Sequence, residues 1–155
     1  MTLIADKLAE LGHKLPNAPI PVANYVPFTR SGNLLFIAGQ ISQADGKPTH
    51  LGRLGDGLDI EAGRKAAETA TLCVLAQISA ATDGSLAAVR RVLKLGVFIA
   101  SAPDFTEHPA VANGASDLMV AVFGEVGRHA RAAVGVAALP RGVSIEVDAV
   151  VELAE

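Results

Sequence analysis

Three charged side chains near the carboxyl end of the chain are the strongest candidates for chemistry. Arg131 lies among alanine and glycine residues, and Glu146 and Asp148 follow within a stretch of alternating apolar residues. An arginine suits a carboxylate ligand, because its planar guanidinium offers paired donors. Burial raises the pKa of a glutamate, which can then take a proton from water. The pattern therefore indicates a site that binds an organic acid and activates water.

These residues are predicted to lie on one face of a β-hairpin that ends the chain. Residues 130–138 and 143–151 both alternate as strands do, and the Leu-Pro-Arg-Gly sequence between them supplies a turn. If that turn sets the register, Arg131, Glu146 and Asp148 share a face with small residues, as on the floor of a pocket. The opposite, apolar face then collects Ala132, Val134, Val136, Ala138, Val143, Ile145, Val147 and Ala149.

The predicted register leaves a gap between the arginine and the glutamate. Arg131 and Glu146 lie about 13 Å apart at about 3.3 Å per residue, which is too far for one small acid to span. Either the register differs by two or more residues, or the productive pair comes from two subunits. Two other interpretations stay open: Arg131 as half of an interface salt bridge, and Glu146 as a rim carboxylate held by an arginine or a backbone N–H.

The composition limits the class of protein. With 155 residues, half of them hydrophobic, the chain is predicted to form a single domain over residues 1–155. A net charge of −3 without a basic stripe argues against nucleic acid as a partner. The one cysteine, Cys73, favours a reducing cytoplasm, and neither a signal peptide nor a membrane-spanning run is expected. No metal site is expected from four scattered histidines, His13, His50, His108 and His129.

The remaining pattern predicts an α+β fold. Asp59 can cap a long helix that runs to about residue 81, and a second long helix begins near Pro109 and runs to Val126. With both helices on one face of a sheet, the opposite face, predicted to bear Arg131 and Glu146, stays open and favours oligomerisation. The other predicted elements are a short helix over residues 2–12, a hairpin over 24–30 and 33–40, a loop over 41–58, a helical turn over 85–89 and a strand over 90–100.

Four short segments in a fixed order carry a family resemblance. They are Asn24-Tyr25, residues 32–40 (GNLLFIAGQ), Arg131 followed eight residues later by Leu139-Pro140, and Ile145-Glu146-Val147. In this order and spacing, from about residue 19 to 151, the chain resembles the Rid/YjgF family of reactive-intermediate (enamine/imine) deaminases, also labelled endoribonuclease L-PSP. The resemblance implies a chorismate-mutase-like mixed sheet and a homotrimer with clefts between subunits. Relative to that pattern, residues 1–18 form an N-terminal helical extension.

The resemblance also implies roles for particular residues. Arg131 matches the family arginine that binds the substrate carboxylate, and Glu146 matches the acid that positions or activates water. Tyr25 and Asn113 match residues that line the cleft, and Gly39 matches backbone that approaches the ligand. Taken from the pattern alone, Tyr25 can also be a core aromatic, and Asn113 can bond the local helix backbone.

The implied activity is the hydrolysis of small enamine or imine acids of the 2-aminoacrylate type, without a cofactor. Ala38 and Ala133 depart from the family pattern and indicate a less characterised branch. Two alternatives stay open: a non-catalytic trimer that binds small 2-keto or imino acids, and a chorismate mutase, which needs several cationic groups around its transition state. His129 is close to Arg131 in the sequence and can help to bind an anion, although a histidine just past a helix end is expected to be a solvated loop residue. His108 is expected to belong to the start of a helix.

Overall fold

A five-stranded mixed sheet with helices packed against it forms the centre of the protein, and the computed structural model describes residues 1–155. The helices are α1 (Ile4–Glu10), α2 (Ile60–Ala81) and α3 (His108–Phe123). The strands are β1 (Phe28–Ser31), β2 (Leu34–Ile41), β3 (Gln43–Ala44), β4 (Lys47–Pro48), β5 (Arg53–Leu54), β6 (Gly57–Leu58), β7 (Val89–Ala100), β8 (Ala130–Val136) and β9 (Ile145–Leu153). Short 3-10 turns cover Gly124–Gly127 and Pro140–Gly142.

The two long helices form as the sequence predicts. The Asp59 side chain accepts a hydrogen bond from the Ala62 N–H at 2.8 Å, which caps α2, and Pro109 occupies the first turn of α3. Both helices contribute to one apolar core with the inner face of the sheet. Their crossing is close, because Gly114 lies against the backbone of Arg64, where a side chain would clash. No helix is long and apolar enough to cross a bilayer.

The predicted C-terminal hairpin is wrong, because its two strands are not neighbours. The sheet order is β1-β2-β9-β7-β8, so β7 lies between β8 and β9. Strand β8 pairs parallel with β7, whereas β9 runs antiparallel to both β7 and β2. The α3 crossover explains this arrangement: a strand, a helix and a second strand form a βαβ unit, whose strands run parallel. The turn after β8 carries the chain across β7 and does not close a hairpin.

The new strand order changes which residues share a face. On β9 the prediction holds: Ile145, Val147 and Ala149 are buried, and Glu146 and Asp148 alternate with them on the open side. On β8 the predicted faces are reversed. Arg131 lies beside the buried Leu95 on the helix side, together with Ala133 and Gly135. The residues predicted for the apolar core, Ala132 and Val134, instead face away from the helices and are exposed.

The shorter elements differ from the predictions in their bounds. The loop predicted over residues 41–58 contains the small pairs β3-β4 and β5-β6. The N-terminal helix is present, but residues 85–88 form a turn that leads directly into β7 at Val89, and no helical turn is found there. The second long helix ends at Phe123, three residues earlier than predicted, and continues as a 3-10 turn.

Candidate functional site

One half of the candidate site is a cleft on the open side of the sheet, around Glu146. The cleft has a volume of about 170 Å³, and Tyr25, Gly39 and Arg141 line it together with Glu146 and residues 19–22. Tyr25 is 53% exposed, so it is a cleft residue and not a core aromatic. Three of the five predicted site residues therefore meet here, although they come from a loop, from β2 and from β9.

The absence of a side chain at Gly39 makes room for Glu146. The register of β2 against β9 shifts between Ile37 and Gln40, which turns the Gly39 backbone towards the glutamate. A Cβ atom at Gly39 would lie 2.9 Å from Glu146 Cδ and closer still to Oε1. The carboxylate of Glu146 therefore rests directly on the backbone of β2.

Two carboxyl groups lie on this side of the sheet, and their pKa values are both raised. Burial raises the pKa of Glu146, and the neighbouring charge of Asp148 raises it further. The pKa of Asp148 is also raised by burial, against the opposing effects of the Gly96 N–H and of Lys94. A glutamate with a raised pKa exchanges a proton more readily near neutral pH, which suits a general base and acid.

The other half of the candidate site surrounds Arg131, on the helix side of the edge strand β8. Its Nη1 donates to Asn113 Oδ1 at 2.9 Å and to Ser116 Oγ at 3.0 Å, and its Nη2 donates to the Pro109 carbonyl at 3.5 Å. Asn113 thus bonds the arginine and not its local helix backbone. No carboxylate lies within 4.0 Å of the guanidinium, so its charge has only neutral partners.

The hydrogen bonds of Arg131 leave two donors for a ligand. A guanidinium has five N–H donors. Both donors of Nη1 and one of Nη2 are used, so Nε–H and the second N–H of Nη2 are unpaired. Two donors on neighbouring nitrogens form the fork that grips a carboxylate through both oxygens. The half-buried guanidinium is thus held in place and still able to bind an organic anion.

Ser116 was not predicted as a site residue, and the prediction for His129 was wrong. His129 is not a solvated loop residue: it is half-buried, and its Nε2 lies 2.8 Å from Ser116 Oγ. Two sequence signals point to this cluster. Ser116 is three residues after Asn113 and shares its helix face, and His129 is two residues before Arg131. The cleft segment 19–22 and Arg141 were also missed, and no sequence signal marks them.

The two halves lie on opposite faces of the sheet, which contradicts the prediction that Arg131 and Glu146 share one. Arg131 pairs with Leu95 on β7, and Glu146 pairs with Phe98, three residues further along. At about 3.3 Å per residue and about 4.8 Å per strand, the two Cα atoms are about 10 Å apart along the strands and about 10 Å apart across them. Within one chain, Arg131 and Glu146 cannot contact the same small ligand.

Other polar groups form no comparable site. His108, the first residue of α3, bonds Ser101 Oγ through its Nε2 at 3.2 Å and packs edge-on against Phe105. No group of three or more His, Cys, Asp or Glu side chains is placed to hold a metal ion. Burial raises the pKa of the Cys73 thiol to about 11, so it is a core residue and not a reactive thiolate.

The fold and the two half-sites agree with a match to a known family. A family model described as "YjgF/chorismate_mutase-like, putative endoribonuclease" matches residues 5–153. The chain therefore belongs to the YjgF/Rid family, as the resemblance implied. Its mixed sheet and three helices are consistent with the chorismate-mutase-like fold of that family.

Individual relatives match over nearly their whole length. The Trypanosoma cruzi protein TCP17 is 51% identical over 151 residues, which are 97% of this chain and 94% of TCP17. The solved structure of Atu1372 from Agrobacterium tumefaciens is 50% identical, with a TM-score of 0.91 over 97% of this chain and 92% of that one. A protein of Shewanella oneidensis MR-1, described as a putative endoribonuclease, is 30% identical, with a TM-score of 0.93 over 98% of this chain and 100% of its own.

Proposed function

We propose that the protein hydrolyses small reactive enamine or imine acids of the 2-aminoacrylate type, in a cleft formed between two subunits. Arg131 of one subunit binds the substrate carboxylate, and Glu146 of a neighbour activates water. The observation that carries this proposal is the separation of the two half-sites. Each is built and each is incomplete, and they lie on opposite faces of the same sheet.

The Arg131 half supports carboxylate binding. Its guanidinium is charged, half-buried and without an acidic partner, and two of its donors are unpaired. A partly buried cation without a counter-ion is costly, so an anionic ligand gains affinity by pairing with it. The small side of β8, with Ala133 beside Arg131, leaves room for a ligand of a few heavy atoms.

The Glu146 half supports proton transfer. In its ionised form the Glu146 carboxylate takes a proton from water as the water oxygen bonds to the C=N carbon. The protonated glutamate then gives that proton to the nitrogen, which leaves a tetrahedral carbinolamine. Glu146 next takes the carbinolamine hydroxyl proton and passes it to the nitrogen, so that the C=O bond forms as the C–N bond breaks, and ammonia and a 2-keto acid leave. An enamine such as 2-aminoacrylate enters this route as its imine tautomer. A carboxyl group whose pKa is raised serves both steps, because it gains and loses the proton at a small free-energy cost.

The proposed assembly is a homotrimer. A contact that joins the Arg131 surface of one subunit to the Glu146 surface of the next joins two different patches. Such head-to-tail contacts form a closed ring when the rotation from one subunit to the next closes. Apolar side chains on the open side of the sheet support this contact, since Phe36 is 43% exposed and Val134 is 45% exposed. Three subunits are the number that the family resemblance implies.

The experiment is an assay of ammonia release from freshly generated 2-aminoacrylate. We expect the wild-type protein to accelerate release and Arg131→Ala to abolish the acceleration. Arg30→Ala is the matched control, because Arg30 is exposed and bonds only the Gly32 carbonyl. Release at the uncatalysed rate with wild-type protein would exclude the deaminase function.

A second candidate is a non-catalytic trimer that binds small 2-keto or imino acids. Ala38 and Ala133 favour it, because neither supplies a hydroxyl or thiol to the cleft, while the Arg131 fork needs neither to bind a carboxylate. Calorimetry with 2-ketobutyrate separates the two candidates. Micromolar binding without turnover would support the binder, and undiminished binding by Arg131→Ala would count against both candidates.

A further inference from the structure

We propose that Ser116 and His129 are positioning residues, which fix the guanidinium of Arg131 in the orientation that a carboxylate ligand needs. The inference rests on the proposed function of Arg131 and adds two residues to which that function gives no role. Neither residue is expected to touch the substrate. Their effect is transmitted through the hydrogen bonds that join His129 to Ser116 and Ser116 to Arg131.

For a neutral His129 ring, the contacts of its two nitrogens fix the direction of each hydrogen bond in this network. His129 Nδ1 lies 2.6 Å from the Gly127 carbonyl, which can only accept, so Nδ1 carries the proton. In the neutral ring Nε2 is then an acceptor, and it takes the hydroxyl proton of Ser116 at 2.8 Å. The Ser116 oxygen therefore turns a lone pair to Arg131 Nη1, at 3.0 Å. The serine hydroxyl is thus oriented as an acceptor for Arg131.

The far end of the network is itself anchored. Gly127 is buried where the 3-10 turn packs against α3, and a Cβ atom there would lie 2.5 Å from the Met119 carbonyl oxygen. This close packing fixes the carbonyl that holds the His129 ring. The ring in turn holds Ser116, which lies on the same helix face as Asn113. Arg131 Nη1 is consequently bonded by two acceptors that cannot move independently of α3.

Neutral partners give Arg131 a fixed orientation without cancelling its charge. A carboxylate partner would also hold the guanidinium, but it would compete with the carboxylate of a ligand. Asn113 and Ser116 leave the positive charge available, and they occupy Nη1 while Nε and Nη2 keep one free N–H each. Holding the side chain in one rotamer before binding also lowers the entropy that a ligand must overcome.

The first test observes the arginine without any ligand. In wild-type protein, NMR should resolve slowly exchanging Nη–H signals of Arg131, because both Nη1 donors are held. Ser116→Ala should merge them with the signals of freely rotating arginines. Ser101→Ala is the matched control, since it removes a hydroxyl from a different Ser–His pair, in which Ser101 Oγ lies 3.2 Å from His108 Nε2.

The second test measures ligand affinity, with 2-ketobutyrate as the probe in calorimetry. Ser116→Ala should bind about tenfold more weakly, which is near the lower end of the loss for one hydrogen bond to a charged group. Ser101→Ala should bind as wild type does. Two replacements of His129 divide its contacts. His129→Gln keeps an acceptor that reaches Ser116, so it should retain most of the affinity for 2-ketobutyrate. His129→Asn keeps only the contact with Gly127, so its affinity should be as low as that of Ser116→Ala. In the ammonia assay these losses should appear in KM and leave kcat nearly unchanged.

The outcomes separate this inference from the proposed function. If Ser116→Ala and His129→Asn bind 2-ketobutyrate as tightly as wild-type protein does, the positioning role is overturned, while the carboxylate site is unaffected. Mobile Nη–H signals in wild-type protein would also overturn it. The Nη–H signals of Arg131 can depend on Ser116 while neither wild-type protein nor any variant binds 2-ketobutyrate. In that case the proposed function fails, and the hydrogen-bond network of Ser116 and His129 is confirmed.

Discussion

Replacing Gly39 by alanine should remove catalysis while leaving the fold intact. The added Cβ would lie 2.9 Å from Glu146 Cδ, well inside van der Waals contact, and closer still to Oε1. Because the Glu146 side chain is only half-buried, it can turn away, at about 0.5–1.5 kcal/mol for an unfavourable rotamer. A carboxylate displaced by about 1 Å from its productive position costs about 10²-fold in rate. Stability should thus fall slightly and activity greatly.

The measurement pairs kcat/KM for ammonia release with urea unfolding of the same samples. Wild-type activity in Gly39→Ala would refute the placement of Glu146 in the reaction.

Gly96→Ala is the matched control for this substitution. A Cβ atom at Gly96 would lie 3.2 Å from Asp148 Cγ, so it meets the second carboxyl group on the same side of the sheet. The backbone change and the kind of clash are the same, but Asp148 transfers no proton in the proposed reaction and affects Glu146 only through its charge. Gly96→Ala should therefore retain activity, and a loss equal to that of Gly39→Ala would indicate a general disturbance of the sheet.

Three further predictions concern stability. Burial is the main cause that raises the pKa of Glu146, and the charge of Asp148 raises it further. Between the ordinary and the raised pKa the folded chain therefore binds more protons than the unfolded chain, so stability to urea should fall as pH rises through that range. Glu146→Gln should reduce this fall, and a stability that rises with pH would contradict the sign. Asp59→Ala removes the cap of α2 and should cost about 1 kcal/mol in urea unfolding, and an unchanged midpoint would exclude the capping role. Leu95→Ala opens a cavity under the sheet and should lower the free energy of unfolding by about 2–5 kcal/mol. A loss below about 1 kcal/mol would show that the core collapses to fill the cavity.

The helices and the Glu146 strand could be predicted from the sequence because their signals are local. The Asp59 cap, the Pro109 start and the alternation of β9 each depend on residues within one element. The choice of strands that pair with β9 does not depend on residues within one element. A proline-glycine turn indicates that the chain turns but not which strand it joins, and the order of β7, α3 and β8 was the signal for a parallel pair.

The face of Arg131 was predicted wrongly because β8 is an edge strand with an inverted pattern. Its more apolar residues, Val134 among them, face away from the helices, while Arg131 and Ala133 face α3. Such an inversion violates the rule that the apolar side of a strand faces the core, and it leaves an exposed apolar surface that the proposed contact with another subunit would cover. Tyr25, Gly39 and Asn113 were predicted as site residues only through the family resemblance. Their proximity to the charged residues depends on the tertiary structure, which a local pattern does not reveal.

The most direct test of the central claim is subunit complementation. Arg131→Ala and Glu146→Gln should each be inactive alone, because each lacks one half of every site. In a 1:1 mixture refolded together from urea, a site works when its arginine comes from a Glu146→Gln subunit and its glutamate from an Arg131→Ala subunit. Random assembly of a ring gives this combination in about one quarter of the sites.

The co-refolded mixture should therefore recover about a quarter of wild-type ammonia release, while each variant refolded alone stays at background. A mixture that remains as inactive as its two components would contradict the claim that Arg131 and Glu146 act together across a subunit boundary.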